Sequence, residues 1–256
     1  MDSKELSILL PTYNADNINF KKCLKSIKSQ SFKNFELLVI DNESSDTTLK
    51  TIKEFKFNHR IISKKDNSFN DGVNKGLKKV KSKYFTIIAS DDLIKDKNYL
   101  KNLINFIKSN KDVDIVFPGY CEIINNKFYK KKQSGNFSKF AYDIIVPGLG
   151  WIAKKSVINH SHFPTDLKAS SDYYFLLNLF KKNFIFKRLN GPNYCMRIGG
   201  NSFINAFISF KERRDISNKF GGNKYRNYIK FYILCLKFII KFKIISLFYK
   251  DLEIKK

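Results

Sequence analysis

Between residues 5 and 88 short apolar runs alternate with longer amphipathic ones, and this rhythm constrains the fold more than any other feature of the chain. A buried strand reads as a brief continuous apolar run, whereas a covering helix places apolar residues three and four apart. Leu6–Leu10 is a run of the first kind, ended by Pro11. From Ile18 to Gln30 the residues Ile18, Cys23, Leu24 and Ile27 share a helical stripe, and Leu37–Ile40 is the next strand. Ser45 or Asp46 then caps a helix through Phe55; Arg60–Ser63 reads as a strand, Asp71–Val80 as a helix and Tyr84–Ala89 as a fourth strand ending in Ser90-Asp91-Asp92. Strands joined by helices are parallel, so this half of the chain is an α/β open sheet, and ligands of such sheets sit beyond the carboxyl ends of the strands.

After Asp92 the pattern changes. Tyr99, Leu100, Leu103, Ile104 and Ile107 form an amphipathic helix, followed by a strand at Ile115–Pro118 and a hairpin turning at Asn125-Asn126 between Cys121–Ile124 and Phe128–Lys131. Gly148–Ala153 reads as a strand and Ser171–Phe180 as a helix. The four cysteines, at 23, 121, 195 and 235, lie far apart in sequence with no secretory leader ahead of them, so neither a disulfide framework nor a zinc finger is expected and the cytosol is the default compartment.

The net charge of +25 suggests a polyanionic partner. Yet 42 of the 48 basic residues are Lys, accompanied by 26 Asn and only six Ala, a bias that AT-rich codons produce without any ligand. The distribution is more informative: residues 205–256 carry 13 basic and 4 acidic residues. No run of about 18 uncharged apolar residues spans a bilayer. Instead, between Tyr228 and Tyr249, Lys230, Lys237 and Lys241 align with Lys219 and Arg226, while Phe231, Cys235, Phe238, Ile239 and Phe242 lie elsewhere on the wheel. This is a basic amphipathic helix with two readings: residues 222–250 lie on an anionic membrane surface, or they dock on the core with a solvated basic stripe.

Three strand ends carry chemistry. Pro11-Thr12-Tyr13-Asn14 offers polar groups and a ring to a flat heterocycle, and Asp41, after the second strand, can accept from a base N–H. Asp91 and Asp92 are adjacent carboxylates that repel each other unless a positive charge or hydrogen-bond donor accompanies them, and a hard cation such as Mg²⁺ or Mn²⁺ meets that need with one or two protein carboxylates. Asp172, in Ser170-Ser171-Asp172-Tyr173, is either a general base or a helix cap. Trp151 suits either an acceptor platform or the core, and His160-x-His162 with Asp166 lacks the further spaced ligand of a metal site.

In this order, with Asp71-Gly72-Val73-Asn74-Lys75-Gly76 between the second and third elements, these residues resemble the family 2 glycosyltransferases, inverting enzymes of GT-A fold. The resemblance covers about residues 5–202 and implies a Rossmann-like, mostly parallel sheet with flanking helices. It also implies that Pro11, Thr12, Tyr13, Asn14 and Asp41 bind the nucleotide of a donor sugar, a uridine diphosphate sugar by preference. Asp91 would contact the ribose, Asp92 would hold Mn²⁺ or Mg²⁺, and Asp172 would be the base. The block with Asp71 also belongs to the donor side. Arg197, in Arg197-Ile198-Gly199-Gly200-Asn201-Ser202, either assists the diphosphate or forms a structural ion pair.

The chain accordingly divides into a catalytic domain, 1–204, and a basic helical tail, 205–256. The expected acceptor is a saccharide, free or lipid-linked, in cell-surface polysaccharide synthesis at the inner face of the cytoplasmic membrane. Nucleic acid is not expected as a partner, because Asp41, Asp91, Asp92 and Asp172 would repel phosphates. A nucleotidyltransferase would share the sheet and the aspartates but requires a Gly-rich basic loop after the first strand, where Thr12-Tyr13-Asn14-Ala15-Asp16 has neither Gly nor Lys.

Overall fold

A computed structural model describes residues 4–124, 127–128, 137, 140, 146–197 and 204–248. The strands are β1 (Leu6–Thr12), β2 (Phe35–Asp41), β3 (His59–Ser63), β4 (Tyr84–Ile87), β5 (Leu93–Ile94), β6 (Ile115–Ile124), β7 (Lys127–Phe128), β8 (Ile152–Lys154) and β9 (Phe186–Arg197). The helices are α1 (Ile18–Lys28), α2 (Thr48–Glu54), α3 (Phe69–Leu77), α4 (Tyr99–Ser109), α5 (Ser171–Lys181), α6 (Ala206–Lys219) and α7 (Lys224–Phe248). One sheet runs β3-β2-β1-β4-β8-β6-β9-β5, with β7 paired to β6. The first four strands are parallel, so their carboxyl ends share one edge: Thr12 registers with Asp41, and Asp41 with Ser63.

Alternate residues of the central strands feed two cores. Leu6, Ile8 and Leu10 face α1 and α4 through Phe20, Leu24, Ile27, Leu100 and Leu103. Leu9 and Leu38 face α3 and α5 through Val73, Leu77, Phe175 and Leu176. Trp151 is fully buried in the second core, stacked on Phe175 at 5.8 Å, with Nε1 donating to the Gly148 carbonyl. Of its two readings the core is therefore correct, and the platform reading falls.

Several boundaries differ from the sequence expectation. Pro11 does not end β1. Residues of its parity point toward β4, whose pairing stops at Leu9, so the missing N–H has no strand to serve. Pro118 likewise sits inside β6, where the register against β9 shifts between Phe117 and Gly119. The segment Gly148–Gly150 is a turn rather than strand: Gly150 has φ +85°, and a Cβ there would strike the Tyr194 ring. The expected hairpin pairs Ile123 with Phe128, while its Asn125-Asn126 turn lies outside the described residues.

No disulfide framework is expected from the cysteine spacing, yet one pair is bonded. Cys121 and Cys195 face each other across β6 and β9, 4.6 Å apart at Cα, and are disulfide-bonded. Their separation of 74 residues hid a contact made only by non-local strand pairing. Cys23 and Cys235 are free thiols.

The C-terminal helix packs against the preceding helix on one side, as the docking reading of the tail expects. Its inner face docks on α6, with Phe238 edge-on to Phe207 and Phe210, and Asn227 buried against Ser217. Its outer face leaves Tyr225, Ile229, Tyr232, Leu236 and Ile240 exposed. The apolar arc is thus split in two, and Phe231 and Phe238 belong to the docked side. No helix among the described residues is long and apolar enough to cross a membrane.

Candidate active site

The ends of β1 and β2 are stitched into one shelf. Asp41 is completely buried, and its carboxylate accepts from Thr12 Oγ1 (3.2 Å), Ser44 N (3.0 Å), Ser44 Oγ (2.5 Å) and Ser63 Oγ (2.7 Å). Asn14, at φ 42°, accepts from Ser45 N and donates its own N–H to Ser44 Oγ. Asp46, one residue before the N-cap Thr47, accepts from Thr48 N at the start of α2 and from Asp16 N, so it ties the two loops together. Pro11 and Thr12 are buried, whereas Tyr13 projects from the shelf, 62% exposed.

Beyond β4 the chain turns at Asp91 and Asp92. Asp92 is buried, and its Oδ1 accepts from Arg197 N at 2.8 Å, while the Tyr194 hydroxyl also hydrogen-bonds its carboxylate. Burial first, and the neighbouring Asp91 charge second, push the Asp92 carboxyl up to about 7. Burial likewise raises Asp91, with the Arg197 cation opposing. Arg197 Nε donates to the Asp91 carbonyl at 3.3 Å, so this side chain braces the turn. Two crowded carboxylates at a strand end, one of them raised this far, form a donor set that a hard divalent cation would relieve. The pair fits the one or two carboxylates Mg²⁺ or Mn²⁺ takes when water and phosphate oxygens complete its shell. No larger cluster of metal-ligating side chains exists among the described residues.

Asp172 lies in the first turn of α5, partly buried, and accepts its neighbour Tyr173 N at 2.8 Å. Burial raises its carboxyl above the ordinary carboxylate range, while the Tyr173 N–H and the Arg213 charge pull against that. Asp91, Asp92 and Asp172 line the same cleft of about 970 Å³, together with Arg197, Tyr120 and Glu122. The cleft also takes Phe210, Arg213, Arg214, Lys230 and Phe231 from α6 and α7. It therefore draws on both sides of the 204/205 boundary.

Other expected residues stand elsewhere. Asp71 does not line the cleft: its carboxylate pairs with Lys75 Nζ at 2.8 Å and caps Asn67 N, and these bonds hold it below its ordinary range. Pro11, Thr12, Tyr13, Asn14 and Asp41 form the adjoining shelf rather than the cleft wall. His160 rests against Phe184 and His162 against Tyr174. Residues 198–203 lie outside the described residues.

Three supports for Asp172 escaped the sequence reading. Asn70 donates to the carbonyls of Pro164 and Leu167, both at 2.7 Å, and accepts from Ser171 Oγ at 2.6 Å. Glu212 of α6 accepts from Lys168 N (2.7 Å) and Ala169 N (3.0 Å). Gly148 leaves room for the Asp172 carboxylate: a Cβ on it would stand 2.9 Å from Asp172 Cγ. Asn70 sits in the first turn of α3, and its partners come from the loop before α5 and from α5 itself, so nothing local in the sequence marked it.

A parallel sheet that turns mixed, with paired aspartates at a strand end and a third carboxylate in the same cleft, is an α/β fold with one candidate catalytic cleft. Solved structures share this fold. Staphylococcus aureus TarS 1-349 in complex with UDP-GlcNAc matches 87% of this chain and 69% of its own, with TM-score 0.69 and 20% identity. The mannosyltransferase PcManGT of Pyrobaculum calidifontis, in complex with GDP-Man and Mn²⁺, matches 89% of this chain and 69% of its own, with TM-score 0.66 and 14% identity. The sequence itself matches the model of glycosyl transferase family 2 over residues 7–209, and the chain belongs to that family. Among curated proteins it is similar to the UDP-Glc:alpha-D-GlcNAc-diphosphoundecaprenol beta-1,3-glucosyltransferase WfgD of Escherichia coli. The two are 28% identical over 232 residues, covering 87% of this chain and 89% of the relative.

Proposed function

We propose that this glycosyltransferase moves a sugar from a uridine diphosphate donor to a lipid-linked saccharide, with inversion, at the cytoplasmic face of a membrane. The observation that carries the reading is that Asp91 and Asp92 share one cleft with Asp172, so donor and acceptor chemistry have separate carboxylates within it. The donor and acceptor named for WfgD, and the UDP-GlcNAc bound to TarS, support the substrate classes.

The nucleotide lies along the strand-end shelf, with the Tyr13 ring against the base and Asp41 keeping Thr12, Ser44 and Ser63 in place beneath it. Asp92, with Asp91 beside it, would hold Mn²⁺ or Mg²⁺, and the bound cation would supply positive charge against the leaving diphosphate. The Mn²⁺ complex of PcManGT supports this choice. Arg197 braces the aspartate turn. Asp172 accepts the proton of the acceptor hydroxyl, which attacks the anomeric carbon from the face opposite the diphosphate. The bond to the nucleotide breaks as the new glycosidic bond forms, so the α-linked donor yields a β-linked product.

The outer face of α7 supplies the membrane contact, with Tyr225, Ile229, Tyr232 and Leu236 at the acyl boundary and Arg226 and Lys237 flanking them. Removal of residues 222–256 abolishes sedimentation with phosphatidylglycerol vesicles on this reading. The function is tested with a panel of nucleotide sugars, each with Mn²⁺ or Mg²⁺, scored by nucleoside diphosphate release. Turnover confined to uridine donors, and lost on chelation, is the expected result; no turnover of any donor with either metal overturns the reading.

A further inference from the structure

The lining of the cleft is divided in charge between the sheet and the α6–α7 hairpin, with Asp166, Lys168 and Asp172 between them. The sheet side contributes Asp91, Asp92 and Glu122 against one cation, Arg197. The α6–α7 hairpin contributes Arg213, Arg214 and Lys230, and no carboxylate among the described lining residues. The two guanidiniums are built into place. Arg214 is clamped by Asp215 at 2.8 Å and lies over the rings of Tyr228 (4.7 Å) and Phe231 (4.9 Å). Arg213 lies 5.9 Å from the Phe210 ring. Aromatic support of this kind fixes the plane of a guanidinium that presents its donors to an oxyanion.

On the proposed function the donor diphosphate would be met by the divalent cation at Asp92, which leaves the Arg213, Arg214 and Lys230 cluster to a different anion. Asp172 lies close enough to Arg213 for that charge to favour its ionised form, so a hydroxyl at Asp172 is adjacent to the cationic wall. Apolar surface runs on from there: Phe210, Phe231 and Leu234 line the cleft beside the cations, and the same α7 exposes Tyr225, Ile229, Tyr232 and Leu236 on its outer side. The ligand that fits such a wall has a hydroxyl-bearing sugar, then a short run of negative charge, then hydrocarbon.

We propose that Arg213, Arg214 and Lys230 form a second phosphate station, which grips the diphosphate joining the acceptor sugar to its lipid and so sets the acceptor hydroxyl at Asp172. This rests on the proposed donor and acceptor classes. Specificity for a diphosphate-linked acceptor then resides in α6 and α7 rather than in the sheet.

The test uses the full chain saturated with UDP and Mg²⁺, titrated calorimetrically with farnesyl diphosphate as probe; farnesol, inorganic pyrophosphate and short-chain phosphatidylglycerol serve as comparisons. Farnesyl diphosphate binds with UDP in place, at least ten-fold more tightly than farnesol or phosphatidylglycerol, and its affinity falls with added salt. The double variant Arg213→Gln, Lys230→Gln binds it at least ten-fold more weakly while its affinity for UDP stays within two-fold. If the double variant fails to fold, Lys230→Gln alone loses at least three-fold. Displacement of the probe by UDP would assign the cations to the donor and overturn the proposal. So would unchanged affinity in a folded variant, equal binding of farnesol, or equal binding of phosphatidylglycerol, the last assigning the cations to the membrane. Failure of the unaltered protein to bind UDP overturns the donor reading instead, and the probe without UDP then judges the station.

Discussion

Gly148 stands so close to Asp172 that any side chain on it would occupy the space of the carboxylate: a Cβ would lie 2.9 Å from Cγ and closer still to Oδ2. The glycine is thus the mould for the candidate base. Gly148→Ala displaces Asp172 and lowers transfer by about 10²-fold or more, because a misplaced base loses most of its contribution. Steady-state kinetics check it, and the expected pattern is a fall in kcat with the UDP affinity kept.

The burial of Asp172 gives a pH signature. Its carboxyl is raised in the folded protein, so the native state holds this proton to a higher pH than the unfolded chain does. Stability is therefore lost as pH rises past the ordinary carboxylate value of about 3.9, and the charged form is carried at a cost above it. Asp172→Asn removes that cost while leaving an oxygen to accept the Tyr173 N–H. Melting curves across pH should show the variant more stable than the parent at pH 7 to 8, with the gap closing near pH 4. Its transfer activity should fall by about 10²- to 10⁴-fold.

Asn70 fastens the loop that delivers α5. Asn70→Leu removes two donors and one acceptor from buried partners and costs about 2–4 kcal/mol of stability. Denaturant melts measure the loss. In the same variant the acceptor KM should rise more than the donor KM, since the loop ends at Asp172.

Trp151 provides a check on the core. As the largest fully buried side chain, stacked on Phe175, it should cost about 3–5 kcal/mol when cut to Ala. An unchanged midpoint of unfolding in Trp151→Ala would contradict the packing.

The α/β half of the fold was readable because the inner parallel strands β1, β2 and β4 are buried on both faces and each helix on one, so apolar period separates them, while β3 at the sheet edge is only partly covered. Pro11 and Pro118 misled at strand ends, because a missing N–H matters only where a neighbouring strand requires it, and that depends on pairing partners distant in sequence. The same limit hid the Cys121–Cys195 contact and the docking of Phe238. At the site, Asp91, Asp92 and Asp172 were legible as carboxylates after strands or at a helix start. Asn70, Gly148 and Glu212 were not, since their importance lies in partners that the fold brings to them from positions distant in sequence, 44 residues for Glu212 and 101 for Asn70. The cationic wall was visible only as net charge until α6 and α7 were seen to close the cleft.

The most direct test separates the two carboxylate roles. UDP release and glycosyl transfer are measured side by side for the unaltered protein, Asp92→Asn and Asp172→Asn, with the best donor and metal. Asp92→Asn is expected to lose both activities and its response to metal, whereas Asp172→Asn loses transfer but still binds UDP with metal as the parent does. Full transfer by a folded Asp172→Asn protein would contradict this separation of roles.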